Sequence, residues 1–292
     1  MTRHDDRESS ERISVTTGPE LPGPVLIDGH VHFYDCFDLP GFLEAARHNL
    51  GAVVPRGPWT GCLFLTERAQ DAWFRRWRDD SAGRPHSAGA WTLRALEDGV
   101  TLLAEHQAGP RILVLAGRQI VARDGLEVLA VGSDRSHRAG LDFPDAVHSA
   151  RETGGLTIVP WGFGKWWGDR GKLVKALITR SEPSSIFLGD NGGRPRIGGY
   201  PRLLSLGRSR GFKVLGGSDP LPFPAQMRRV GSFGFVLPGP ANLSRPGGGI
   251  LEAVRGLGEQ PASFGKALSL RSFLSVQARV HWRKRVGERN PR

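Results

Sequence analysis

Two histidines one residue apart, in the run Asp28-Gly29-His30-Val31-His32, carry the clearest chemical signal in the chain. Residues two apart on a strand project from the same face, so His30 and His32 would point at one spot. Imidazole nitrogens that converge in this way can share a divalent cation. The apolar residues before them, Val25, Leu26 and Ile27, read as a buried strand, which sets the polar cluster at its C-terminal end. Asp28 stands beside the pair and would orient a ligating imidazole from behind.

The elements that must position this pair follow from periodicity. Helical spacing predicts helices over 39–50, 67–78, 142–153, 172–180 and 201–210, and a long amphipathic helix over 266–284. Short apolar runs predict strands over 61–66, 156–159, 185–188, 212–215 and 232–237. Between them a β-rich stretch covers 100–104, 111–116, 119–122 and 126–131, with Arg123-Asp124-Gly125 as a turn, and 79–90 reads as a loop. Strand-helix alternation at this spacing means a parallel sheet, closed or nearly closed into a barrel. Residues 1–22 are polar and expected to be a disordered arm, leaving 23–292 as one barrel domain with a C-terminal helix.

In a parallel barrel the chemistry lies at the C-terminal strand ends. Those ends are Asp28 to His32, Thr66-Glu67-Arg68, Gly117-Arg118-Gln119, Pro160-Trp161-Gly162, Gly189-Asp190-Asn191 and Gly217-Ser218-Asp219. Several of these motifs together resemble the polymerase-and-histidinol-phosphatase (PHP) family. The opening Asp28-Gly-His-Val-His32 matches its Asp-x-His-x-His motif. Ala150 to Pro160 resembles its Ala-x-x-x-Gly-Gly-Leu-x-Ile segment, and Gly211 to Asp219 its closing Gly-Ser-Asp-x-His. The resemblance implies a distorted (βα)7 TIM-like barrel and a metal-dependent phosphoesterase site.

The departures are informative. The family's Thr-Asp-His is Thr66-Glu67-Arg68 here, its bridging Glu falls near Gln119, a usual His is replaced by Trp161 or nearby, and Pro220 follows Asp219 where a His would help close the motif. What remains is a reduced set: His30, His32 and Asp219, with Glu67, as ligands to one Zn²⁺, Mn²⁺ or Fe²⁺. Arg68 would take the place of a lost metal and clamp a phosphate bidentately. Asp190 is a supporting acid, while Asn191, Arg194 and Lys165 are candidate substrate contacts. Lys165 lies in Trp161-Gly-Phe-Gly-Lys-Trp-Trp167, which would either lid the mouth and stack on a base or sugar, or pack over the barrel. Two alternatives stay open: a barrel that has lost catalysis and binds an anion or partner, and an amidohydrolase-type metal hydrolase.

Composition bounds the rest. The 292 residues carry a formal charge of +11, which favours phosphorylated or otherwise anionic small-molecule partners, with nucleic acid a second class. The charge is concentrated only over 279–292, and no zinc-finger, RNA-recognition or helix-turn-helix signature accompanies it. No apolar run is long enough to cross a membrane, and the polar start lacks a signal-peptide core, so a cytoplasmic location is expected. Cys36 and Cys62 give no disulfide or zinc-ribbon pattern and are expected to be buried. Gly-x-Ser-x-Gly and the phosphate-binding P-loop are both absent.

Overall fold

The computed structural model describes residues 20–21, 23–196, 199–238, 241–242 and 245–288. In chain order its elements are β1 (Glu20–Leu21), β2 (Val25–Val31), α1 (Leu39–Gly51), β3 (Thr60–Glu67), α2 (Trp73–Asp80), β4 (His86–Ala88), β5 (Trp91–Ala95), β6 (Thr101–His106), β7 (Arg111–Val121) and β8 (Glu127–Val131). There follow α3 (Phe143–Arg151), β9 (Leu156–Trp161), α4 (Gly168–Arg180), β10 (Phe187–Asp190), α5 (Arg202–Ser209), β11 (Val214–Gly216), β12 (Phe233–Leu237), β13 (Ala241–Asn242), α6 (Pro246–Arg255), β14 (Ala262–Gly265) and α7 (Leu270–Glu288). Pro224–Arg229 is a short 3-10 helix before β12. Within the expected N-terminal arm, Glu20–Leu21 pair with β13; residues 1–19 and 22 lie outside the described residues.

The strands build a barrel-shaped sheet that nearly closes. Its path runs β11-β10-β9-β8-β7-β3-β2-β12-β14, and β4, β5 and β6 hang from β7 as an antiparallel extension. Strands β2, β3, β7, β9, β10 and β11 point one way, while β8 and β12 run against them. The sheet is therefore mixed and twelve-stranded rather than a regular (βα)7 repeat. The physical reason lies in the β-rich stretch. Its strands are joined by short turns such as Arg123-Asp124-Gly125, where Gly125 takes φ +81°, and connections that short allow only antiparallel neighbours.

Four further expectations change. The strand pieces at 111–116 and 119–122 are one strand, β7, and the loop at 79–90 contains β4 and leads into β5. The helix expected from residue 67 starts only at Trp73, because Glu67 is still the last residue of β3. Cys62 is buried as expected, but Cys36 is exposed in the turn after β2.

The strands that form the wall are apolar on both faces. Val25 and Ile27 of β2, Cys62 and Phe64 of β3, and Leu113 and Leu115 of β7 join one cluster with Ile250, Leu251 and Val254 of α6. The alternating residues Leu26, Leu63, Leu65, Ile112 and Val114 face a second cluster with Phe42, Leu43 and Leu50 of α1 and with Trp77 of α2. Burial on both sides is what a covered parallel sheet requires, and it explains the near-continuous apolar runs. Helix starts are marked locally: Asp38 accepts the Gly41 N–H at 2.7 Å ahead of α1, and Asp142 the Asp145 N–H at 2.9 Å ahead of α3.

The last joint, between β11 and the β2–β12 pair, is a backbone-to-backbone seam made by glycines. A Cβ on Gly216 would lie 2.7 Å from the Gly234 carbonyl oxygen, and one on Gly217 would lie 2.4 Å from the His30 nitrogen. Hydrogen bonds hold the seam: the Ser218 N–H donates to Asp28 Oδ1 at 2.7 Å, and the Asp219 N–H to the His30 carbonyl at 2.8 Å. Gly234 sits opposite, where a Cβ would be 2.0 Å from the Ile27 carbonyl oxygen. We expect Gly234→Ala to cost about 2–4 kcal/mol in urea unfolding through forced strand separation. Gly248→Ala, in α6 with nothing within 4 Å of its Cβ, should be neutral or stabilising.

Candidate metal centre

Strand β2 carries a register shift between Asp28 and Val31, an irregularity of the kind that re-aims side chains at a strand end. His30 and His32 leave it together and are both buried, with their Nε2 atoms 3.0 Å apart. Asp219 arrives across the seam from the end of β11. Its backbone is left-handed, φ +43°, a conformation that Asp tolerates better than most residues, and the bond from its N–H to His30 holds it there. Its Oδ1 lies 3.7 Å from His30 Nε2 and 3.6 Å from His32 Nε2.

These three atoms form a triangle with sides of 3.0, 3.6 and 3.7 Å, and the point equidistant from its corners is about 2.0 Å from each, the length of a zinc–nitrogen or zinc–oxygen bond. His30, His32 and Asp219 could thus hold a metal ion. The chemistry of the donors agrees. Burial pulls both imidazoles below their usual range, His32 to about 4, so each can offer a lone pair at neutral pH. Burial works to raise the Asp219 carboxyl, but His30, His32 and Lys165 facing it hold it below the usual carboxylate range. His32 Nδ1 is buried without a hydrogen-bond partner, whereas the Gln119 side chain stands beside His30 and works as a hydrogen-bonding neighbour to raise that imidazole against its burial. The Asp219 side chain is 17% exposed, which leaves the triad open on that side.

The other expected site residues are placed differently. Asp28 does not orient an imidazole ring: it is fully buried and accepts from the backbone N–H groups of Ser218, Gly231 and, more weakly, His30. Burial pushes its carboxyl up to about 7 against the pull of those donors. Glu67 stands apart from the triad. It accepts from the N–H groups of Trp73 and Phe74 at the start of α2, and its other oxygen lies 3.5 Å from Arg118. A buried carboxylate at a helix N-terminus is favoured there electrostatically, which draws Glu67 off the barrel mouth.

Arg68 is not a free clamp. Its guanidinium meets Asp71 through two hydrogen bonds, at 2.7 and 2.9 Å, and lies over the ring of Tyr34. Asp190 accepts from the Gly192 N–H and pairs with Arg194 at 3.2 Å, while Arg194 also stacks on Tyr200. Asn191 comes to the centre: its amide donates to Asp219 Oδ2 at 2.9 Å and so fixes the carboxylate whose other oxygen faces the histidines. Lys165 is ion-paired with Glu127 and contributes positive potential at His30, His32 and Asp219.

Two neighbours were not singled out from sequence. Tyr34 stacks near His32, with ring centroids 5.7 Å apart, and links that imidazole to Arg68. Its spacing two residues beyond His32 is the signal that could have found it. Arg229, at the end of the 3-10 helix, faces Asp219 and Asp28 and donates to the Asn191 carbonyl at 3.5 Å. Nothing local in Met227-Arg228-Arg229 marks it, since the tertiary fold alone brings it there.

The architecture is thus a mixed α/β barrel with a cation-competent triad at the common end of its strands. No family model matches the chain, and no curated protein matches it. Among solved structures it is similar to PsfC from Pseudomonas syringae PB-5123, with 14% identity over 90% of this chain and 99% of that one and a TM-score of 0.55. That likeness is one of fold. No helix among the described residues is long and apolar enough to cross a membrane.

Protein stripped with chelator should take up about one equivalent of Zn²⁺ in equilibrium dialysis, and His30→Ala or His32→Ala should abolish that uptake. Glu67→Gln should keep it while costing about 1 kcal/mol of stability. Metal uptake lost with Glu67→Gln would instead make Glu67 a ligand.

Proposed function

We propose that the chain is a PHP-like, divalent-metal-dependent hydrolase acting on a phosphoester through a one-metal site. The observation that carries this reading is the triangle of His30, His32 and Asp219, whose size suits a first-row cation and whose carboxylate is faced by Lys165 and Arg229. A cation bound there would supply positive charge and a water of lowered pKa for attack on phosphorus. The chain's own residues do the remaining work. Asn191 holds Asp219 in one orientation, and Arg229 and Lys165 set a positive field suited to an anionic substrate. Arg68, packed on Tyr34, is held in its ion pair with Asp71 and adds little to that field.

A second reading has an observation of its own. Glu67 and Asp190, which a multi-metal phosphoesterase would direct to the mouth, and Arg68, which a one-metal site would offer to a phosphate, are engaged in internal pairs and caps. This favours a barrel that keeps the cation or anion site without turnover. Hydrolysis of p-nitrophenyl phosphate by stripped protein reloaded with Zn²⁺, Mn²⁺ or Fe²⁺ separates the two. The hydrolase reading expects turnover that falls to the chelated background in Asp219→Asn, and a roughly 10- to 100-fold loss of activity or metal affinity in Asn191→Ala. Stoichiometric metal without turnover on any phosphoester tried supports the binding reading.

A further inference from the structure

Outside the triad, the segment from Trp161 to Trp167 builds a second feature that the hydrolase reading leaves unused. Lys165 turns toward Glu127 and the triad, whereas the aromatic residues line a cavity of about 690 Å³ between this segment, the start of α4 and the loop before α5. That volume is in the range of small-molecule sites. Trp161 and Trp166 are buried at its wall. Phe163 and Trp167 are 43% and 59% exposed, and their rings meet edge to face with centroids 5.0 Å apart. Phe163 also meets Phe273 of α7 edge to face, with centroids 4.8 Å apart, so Trp167 is the ring left most open to a flat ligand.

The remaining lining is mostly glycine, proline and Leu203, with four cations among it. Lys172, Lys175, Arg194 and Arg202 border the cavity, Lys172 is paired with Asp169, and no carboxylate among the described residues lines it. Arg194 is partnered by Asp190, but among the described residues no carboxylate lies within ion-pair distance of Lys175 or Arg202. Exposed π-faces beside uncompensated cations, in one cavity, match a ligand that is planar and aromatic at one end and anionic at the other. An aliphatic phosphate would leave the rings uncovered, and an uncharged aromatic would leave the cations unpaired.

We propose that this cavity binds a nucleotide unit, with the base stacked on Trp167 and Phe163 and the phosphate met by Lys175 and Arg202. The unit can come from a free nucleotide or from a single-stranded nucleic acid. The site does not depend on the metal reading, and either can fail alone.

The test uses the full chain in EDTA, with 1,N6-etheno-AMP as the probe and fluorescence anisotropy as the readout. Binding should weaken roughly ten-fold or more in Trp167→Ala and in the Phe163→Ala, Trp167→Ala double variant, as expected for loss of a stacked base. Lys175→Ala with Arg202→Ala should weaken it and flatten its salt dependence. These positions are exposed or half-exposed, and circular dichroism should show the variants folded. Unlabelled AMP should compete far better than adenosine or orthophosphate. If oligo(dA) competes better per nucleotide than AMP, the source is nucleic acid; if AMP competes better, it is the free nucleotide. No binding of the probe at millimolar concentration would overturn the proposal. So would equal competition by orthophosphate and AMP, or binding unchanged in Trp167→Ala.

Discussion

The contact on which the structure depends is the approach of β11 to the β2–β12 pair without side chains between them. Gly216, Gly217 and Gly234 let backbones meet at distances that any Cβ would forbid. The hydrogen bonds Ser218 N–H to Asp28 and Asp219 N–H to His30 then lock the seam. Closing the barrel and assembling the site are therefore one event. The joint that shuts the sheet is the one that carries Asp219 to within 3.7 Å of both imidazoles. A buried acid, Asp28, has its oxygens on the backbone donors of two distant segments, which explains an acidic side chain at the end of an apolar strand.

Electrostatics at the mouth follow from that closure. His30 and His32 are held neutral by burial, Asp219 stays anionic beside them, and Lys165 and Arg229 come in from two other segments. The carboxylates that might have enlarged a metal cluster are drawn elsewhere by stronger local demands. Glu67 satisfies the first N–H groups of α2, and Asp190 satisfies the Gly192 turn and Arg194. A cation-competent triad with a positive surround is what remains once those demands are met.

The barrel was legible in sequence where local physics is decisive. The buried strands at β2, β3, β9 and β10 announce themselves through apolar runs, and α1 and α3 through apolar residues at helical spacing, while their caps Asp38 and Asp142 emerge in the structure. It was less legible where short turns convert the parallel pattern to hairpins, as between β7 and β8, or where two predicted strand pieces are one. Glu67 illustrates the same limit at the site: its position at a strand end was readable, but its preference for a helix start six residues on was not.

By itself the sequence determined that His30 and His32 share a face, because strand period two is a covalent fact of the extended chain. It also pointed to one rim for the strand ends at Asp28, Glu67, Asp190 and Asp219, which holds because β2 with β3 and β10 with β11 run parallel through their connecting helices, although β8 and β9, also joined through a helix, do not. The resemblance offered both Asp219 and Glu67 as partners of the histidines, and only the tertiary structure chose between them. That choice rests on distances between segments nearly two hundred residues apart, set by glycine contacts, backbone donors and competing caps rather than by any local pattern. Asp219 is chosen because the seam carries it there, and Glu67 is not because α2 needs it more.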